Sequence, residues 1–139
     1  MKDHKDLDVW KQSMVLAEQV YTLTKEFPLD EKYGLISQMK RAVVSIPSNI
    51  AEGAARKGNK ESIQFMYIAM GSLSELETQI LLSQRLQFVN SVDNYLVQIE
   101  KIKLMLDQLL YLFPQNKCYF EQIFCILLLL FRRCKKLFC

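Results

Sequence analysis

Apolar positions in residues 7–113 recur at steps of three and four, the repeat of a helix with one buried face. In a first segment, about Leu7 to Phe27, Trp10, Met14, Ala17 and Tyr21 keep that step, and Val9, Leu16, Val20 and Leu23 broaden the stripe. Asp6 or Asp8 is placed to cap its start. Phe27-Pro28 ends it, because a residue before proline is pushed out of the helical region. The second segment opens at Asp30 and runs to about Lys57, with its core face on Leu35, Met39, Ala42, Val43, Ile46 and Ile50. Pro47 lies inside it, and a missing backbone donor there predicts a kink rather than two helices. A third segment, capped by Asn59, runs from Lys60 to about Gln87 with Met66, Ala69, Leu73, Leu76 and Ile80 in register. Gly71 costs it about 1 kcal/mol against alanine, which predicts close approach of another backbone there. The fourth, capped by Ser91, carries Val92, Tyr95, Ile99, Ile102, Leu106, Leu109 and Phe113 and stops at Pro114. Four long helices with short turns predict an all-α, antiparallel up-down-up-down four-helix bundle with a kinked second helix.

The chain has 139 residues, and its four cysteines all lie beyond Pro114. Residues 1–114 form the expected bundle domain, and 115–139 an atypical apolar, basic, cysteine-containing tail. The bundle holds 13 basic and 14 acidic residues, a net charge of −1, whereas the tail carries +4. A near-neutral body lacks the gross electrostatic footprint of a DNA-coating protein, so a nucleic-acid site must come from local clustering or from assembly of copies. The apolar run Ile123–Phe131 has nine residues, short of the roughly 20 needed to span a bilayer, so a membrane partner is not expected. The first ten residues hold no apolar signal-peptide core, and the cysteine pattern frames no disulfide scaffold. The expected location is the cytoplasm.

No enzyme is expected. His4 is the single histidine, which excludes the paired Glu-x-x-His motifs of di-iron bundles. No Walker loop, nucleophile elbow or dinucleotide fingerprint occurs. No metal or cofactor is expected.

The polar side of the second segment is more informative. Gln38, Arg41, Ser45, Asn49, Glu52 and Arg56 form a stripe, flanked by the small or slim residues Ser37, Val44, Ser48, Ala51 and Ala55. One reading is structural: Arg41 and Arg56 pair with carboxylates such as Glu52 or Glu75. The other sets Lys40, Arg41, Arg56, Lys57 and Lys60 against phosphate, with RKGNK (Arg56–Lys60) at a helix junction whose free N–H groups also favour anions. No aromatic platform for unpaired bases is apparent near these residues.

The string GLISQMKRAVVSIPSNIAEGAARKGNKESIQFMYIAMGSLSELETQ (Gly34–Gln79), preceded by VWKQSMVLAEQVYTLTKEFP (Val9–Pro28), resembles the bacterial four-helix bundle proteins of 23S ribosomal RNA intervening sequences. SIPSNIAEG with a downstream GSLSELE is its most specific part, and the resemblance covers about Leu7 to Phe113. The family is similar to the accessory variability determinant of diversity-generating retroelements. The resemblance implies a homopentamer, with RNA or DNA and a reverse transcriptase as partners. It also gives Val44, Ala51 and Ala55 a use as a subunit contact. The expected function is therefore a non-enzymatic, self-assembling bundle that binds RNA or DNA through repeated basic clusters. The alternative is a protein-interaction scaffold with no nucleic-acid role.

Overall fold

A computed structural model describes residues 3–113; the whole of the tail, residues 115–139, lies outside the described residues. Four α-helices make up the fold: α1 (Asp8–Leu23), α2 (Leu35–Ala55), α3 (Asn59–Arg85) and α4 (Asp93–Tyr111). Short 3-10 turns precede α1 and fill the α1–α2 connection. Among the described residues no strand occurs, and no helix is long and apolar enough to cross a membrane. Helix α1 packs on α2 and α4, and α3 packs on α2 and α4, which closes an all-α bundle around one core. The most extensive contact is between α2 and α3.

The apolar stripes of α2 and α3 are buried as their spacing predicts. Met39, Val43, Ile46, Ile50, Ala69, Leu73, Leu76 and Ile80 are all fully enclosed. In α4 the core takes Ile99, Ile102, Leu106 and Leu110, with Tyr95, Leu109 and Phe113 half-buried. Burial, with the Glu26 carboxylate adding to it, raises the Tyr95 phenol above its ordinary value.

Helix α1 departs from expectation. Its buried stripe is Val9, Ser13, Leu16, Val20 and Leu23, one position round from the Trp10–Tyr21 set. Met14 and Tyr21 face outward, 38% and 43% exposed. Ser13 takes a core position because its hydroxyl donates to the Val9 carbonyl at 2.7 Å, so no polar atom is stranded.

The helix starts differ too. After a 3-10 turn (Leu29–Tyr33), Gly34 breaks the path at φ −96°, ψ −120°, and α2 begins at Leu35 rather than Asp30. Glu31, not Asp30, caps it: its carboxylate accepts from the Leu35 N–H at 2.9 Å. Gly58 and Val92 hold the capping positions of α3 and α4, where Asn59 and Ser91 were expected. Neither Asp6 nor Asp8 caps α1, whose capping position is Leu7. Helix α3 ends in a Schellman motif. The Phe88 N–H reaches the Ser83 carbonyl at 3.0 Å and the Gln87 N–H reaches Gln84 at 2.9 Å, with Gln87 left-handed at φ 60°. Phe88 then packs on Phe27, ring centres 5.5 Å apart.

Helix α2 runs unbroken through Pro47, which is buried. The glycine that permits close helix approach is Gly53, not Gly71. A Cβ at Gly53 would lie 2.9 Å from Met66 Cε, 3.0 Å from Phe65 Cβ and 3.2 Å from the Ser62 carbonyl oxygen. Nothing among the described residues lies within 4 Å of a Cβ at Gly71. Eight residues before Gly53, the Ser45 and Ser72 hydroxyls meet at 2.9 Å, so partners on α3 rise in number as those on α2 fall.

The two glycines predict opposite signs. Met66 Cε can swing aside, but Phe65 Cβ and the Ser62 carbonyl are fixed to the α3 backbone. Gly53→Ala is therefore expected to destabilise by about 1–3 kcal/mol through overpacking. Gly71→Ala is expected to stabilise by about 0.5–1 kcal/mol, because an exposed helical position gains propensity at no steric cost. Urea unfolding of the two variants beside the parent checks both, and a stabilised Gly53 variant would contradict the close contact.

Candidate nucleic-acid interface

The five basic residues of the sequence reading occupy two places. Lys40 and Arg41 lie in the second turn of α2, while Arg56, Lys57 and Lys60 surround its far end. Fifteen residues of helix separate Arg41 from Arg56, roughly 22 Å along the axis. They form two groups, not one patch.

The junction group is built by a tight turn. Helix α2 ends at Ala55, Arg56 turns extended at φ −75°, ψ 141°, and α3 starts at Asn59. Arg56, Lys57 and Lys60 are all exposed. The Arg56 guanidinium pairs with Glu52, one turn back, and lies 4.8 Å from the centre of the Phe65 ring. It is thus partly committed to structure, as the ion-pair reading expects. Lys57 and Lys60 make no ion pair among the described residues. Arg56 and Lys57 edge a hollow of about 290 Å³ floored by Leu7, Gly53, Met66, Leu109 and Phe113. Glu61 sits in the first turn of α3 beside Lys60, so the junction carries acid as well as base.

The other group has different surroundings. Arg41 is exposed and makes no ion pair among the described residues, so neither Glu52 nor Glu75 neutralises it. Glu75 instead accepts from the Gln79 amide at 3.0 Å. Lys40 rests on Tyr21, its Nζ 5.0 Å from the ring centre. Both line an open hollow of about 640 Å³ with Tyr21, Lys32, Tyr33 and Val44. An aromatic platform therefore does stand beside Lys40 and Arg41, contrary to the sequence reading. It was missed because Tyr21 reads as core in the α1 stripe, and Tyr33 lies in the turn before α2.

The proposed contact residues on α2 are available at the surface in part. Val44 is 43% exposed, Ala55 is exposed and Ala51 is half-buried. Val44 also belongs to the wall of the tyrosine hollow, so this face is less uniform than its small side chains suggest.

Among the described residues, no group of three or more His, Cys, Asp or Glu is arranged to hold a metal ion. His4 is engaged with Asp3 and stacks edge-on against Trp10, ring centres 5.3 Å apart.

The family model described as 23S rRNA-intervening sequence protein matches residues 5–108, most of the chain and nearly all of the bundle. The chain belongs to that family. The matched span takes in both basic groups and the whole α2–α3 junction. Comparison with curated proteins finds no match.

The separate surroundings of the two arginines predict separate effects on stability. Arg41→Ala is expected to change stability by no more than about 0.5 kcal/mol, since no partner is left unpaired. Arg56→Ala is expected to cost about 0.5–1 kcal/mol, from a solvent-screened ion pair and a surface cation–π contact. Urea unfolding at low and high salt checks this. Equal losses at the two sites would contradict the assignment of partners.

Proposed function

We propose that this family member is a non-enzymatic, self-assembling bundle of the cytoplasm that binds RNA or DNA through basic clusters repeated by its own symmetry. The observation that carries the reading is the α2–α3 junction, where three exposed cations stand within five residues and, among the described residues, only Arg56 has a carboxylate partner. Lys57 and Lys60 project beside the first turn of α3, whose backbone N–H groups lack a side-chain cap. Donors and cations together suit a phosphate oxygen. Assembly supplies what one chain lacks, because copies in a ring repeat the cluster and raise the local field. Phosphate contacts of this kind give affinity with little base preference.

Affinity for a duplex falls with salt at a log–log slope of about −0.9 for each phosphate neutralised. Replacing Arg56, Lys57 and Lys60 together by alanine should flatten that slope by up to about 2.7 for duplex DNA. The tail's +4 charge is the same in parent and variant, so the difference isolates the junction. An unchanged slope would remove the junction from the interface, and no binding by the parent even at low salt would leave the scaffold reading.

Assembly is proposed to run along Ala51 and Ala55, with Val44 at its edge, and a pentamer is the expected state. Light scattering on the intact chain is expected to give a mass several times that of one chain. Ala51→Arg is expected to shift that mass toward the monomer by burying an unpaired charge. A monomeric parent at micromolar concentration would sink this part of the proposal. The scaffold reading draws its own support from α4, where Val97, Leu104 and Tyr111 repeat at seven residues and are 69%, 55% and 51% exposed.

A further inference from the structure

We propose that the hollow between Tyr21, Tyr33 and Arg41 holds an unpaired polynucleotide strand, with a base stacked on Tyr33 and its phosphates on Lys40 and Arg41. This rests on the nucleic-acid reading above but concerns a different surface, roughly 22 Å along α2 from the junction.

Four observations converge. The side chains lining the hollow include three cations (Lys32, Lys40 and Arg41) and no carboxylate. The nearest acid in sequence, Glu31, is held by the Leu35 N–H and completes the start of α2. Tyr33 is 88% exposed, and among the described residues the cation over its ring is its sequence neighbour Lys32, 5.5 Å from the ring centre. A large aromatic that exposed at the rim of a basic hollow offers a face on which a base can stack. Lys40 lies over the ring of Tyr21, which holds its ammonium at the wall, and Arg41 beside it has no competing ion pair among the described residues. The hollow's volume, about 640 Å³, falls within the range of sites that take a ligand of nucleotide size.

The chemistry selects among occupants. A duplex offers phosphates but keeps its base faces stacked inside, so it can use the cations and not Tyr33. An acidic peptide satisfies the cations and gives the tyrosine ring no aromatic partner. An unpaired strand presents both groups at once, and every base has a face that can stack. Sequence preference is expected to be slight, because stacking and phosphate contacts read no base edge.

The test uses the intact chain with fluorescently labelled single strands of about twelve nucleotides, oligo(U) and oligo(dT), and a duplex of the same length. Binding is read by anisotropy at fixed salt. Tyr33→Ala is expected to weaken both single strands about fivefold or more, and the duplex by less than about twofold. Tyr33→Phe keeps the ring and is expected to bind as the parent does. Tyr33 is exposed, so helix content by circular dichroism should be the same in all three proteins. The proposal is overturned if Tyr33→Ala leaves single-strand affinity unchanged, if it weakens duplex and single strand equally, or if Tyr33→Phe is as weak as Tyr33→Ala. It is also overturned if Tyr33→Ala changes the oligomer mass, which would make the hollow a contact between copies. Should the parent bind duplex but gain nothing from unpaired strands, this inference fails and the junction reading stands. Should the parent bind neither, both fail.

Discussion

The close contact of α2 with α3 at Gly53 sets the geometry on which the rest of the surface depends. With no side chain at Gly53, the Ser62 carbonyl, Phe65 Cβ and Met66 Cε all come within the space that a Cβ would need. Helices that close can be joined by a very short turn, and Arg56–Gly58 is that turn. The same contact places Phe65 under the Arg56 guanidinium and brings the Ser45 and Ser72 hydroxyls together farther along. A polar pair tolerated between two helices requires good alignment, because a hydroxyl left without a partner there costs more than the bond contributes. Gly53 therefore fixes both the packing of the bundle's most extensive contact and the position of the junction cations.

Much of the fold was legible in the chain because α2 and α4 bury no polar side chain, and the buried serines of α3 (Ser62, Ser72 and Ser83) leave its Met66–Ile80 apolar series unbroken. The failures have specific physical causes. In α1 the core admits Ser13, whose hydroxyl turns back to its own helix, and a polar residue in the stripe disguises its phase. The role assigned to Gly71 belongs to Gly53, and phase distinguishes them. Gly53 follows Ile46 and Ile50 at steps of seven and three, on the core side of α2. Gly71 falls between Ala69 and Leu73, on the outer side of α3. A glycine's cost to a helix is the same in either place, so its use depends on which face it occupies. Capping residues were misplaced by one or a few positions because side-chain type marks a helix start only locally. Glu31 reaches Leu35 across a turn that the linear pattern does not reveal.

The site was less legible than the fold, for a reason of range. The Glu52–Arg56 pair joins residues four apart on one helix, a relation that the sequence displays directly. Arg41 and Glu52 share a polar stripe but stand three turns apart, about 16 Å along the axis, beyond reach of an ion pair. The tyrosine hollow joins residues from α1, the following turn and α2, so it exists only once those elements pack. From the sequence, Tyr21 falls in the core stripe of the first segment and Tyr33 in the opening turn of the second, and neither reading suggests a common surface.

The structural and phosphate-binding readings of Arg56 are compatible. A guanidinium has five N–H donors, and its contacts with Glu52 and Phe65 leave some directed outward. Holding the group in place also lowers the entropy lost when a ligand arrives. What the pairing removes is net charge. Around the junction, Arg56, Lys57 and Lys60 face Glu52 and Glu61, three cations against two carboxylates, which leaves one positive charge per chain. A single chain therefore offers well-placed donors in a weak field, whereas a ring of chains repeats the donors and adds the fields. On this reading, affinity for nucleic acid depends on assembly rather than merely accompanying it. The hollow at Lys40 and Arg41 differs in kind, because its three cations meet no carboxylate in its lining and its tyrosines offer a contact that needs no symmetry. One surface draws its strength from copy number, and the other from the side chains of one chain.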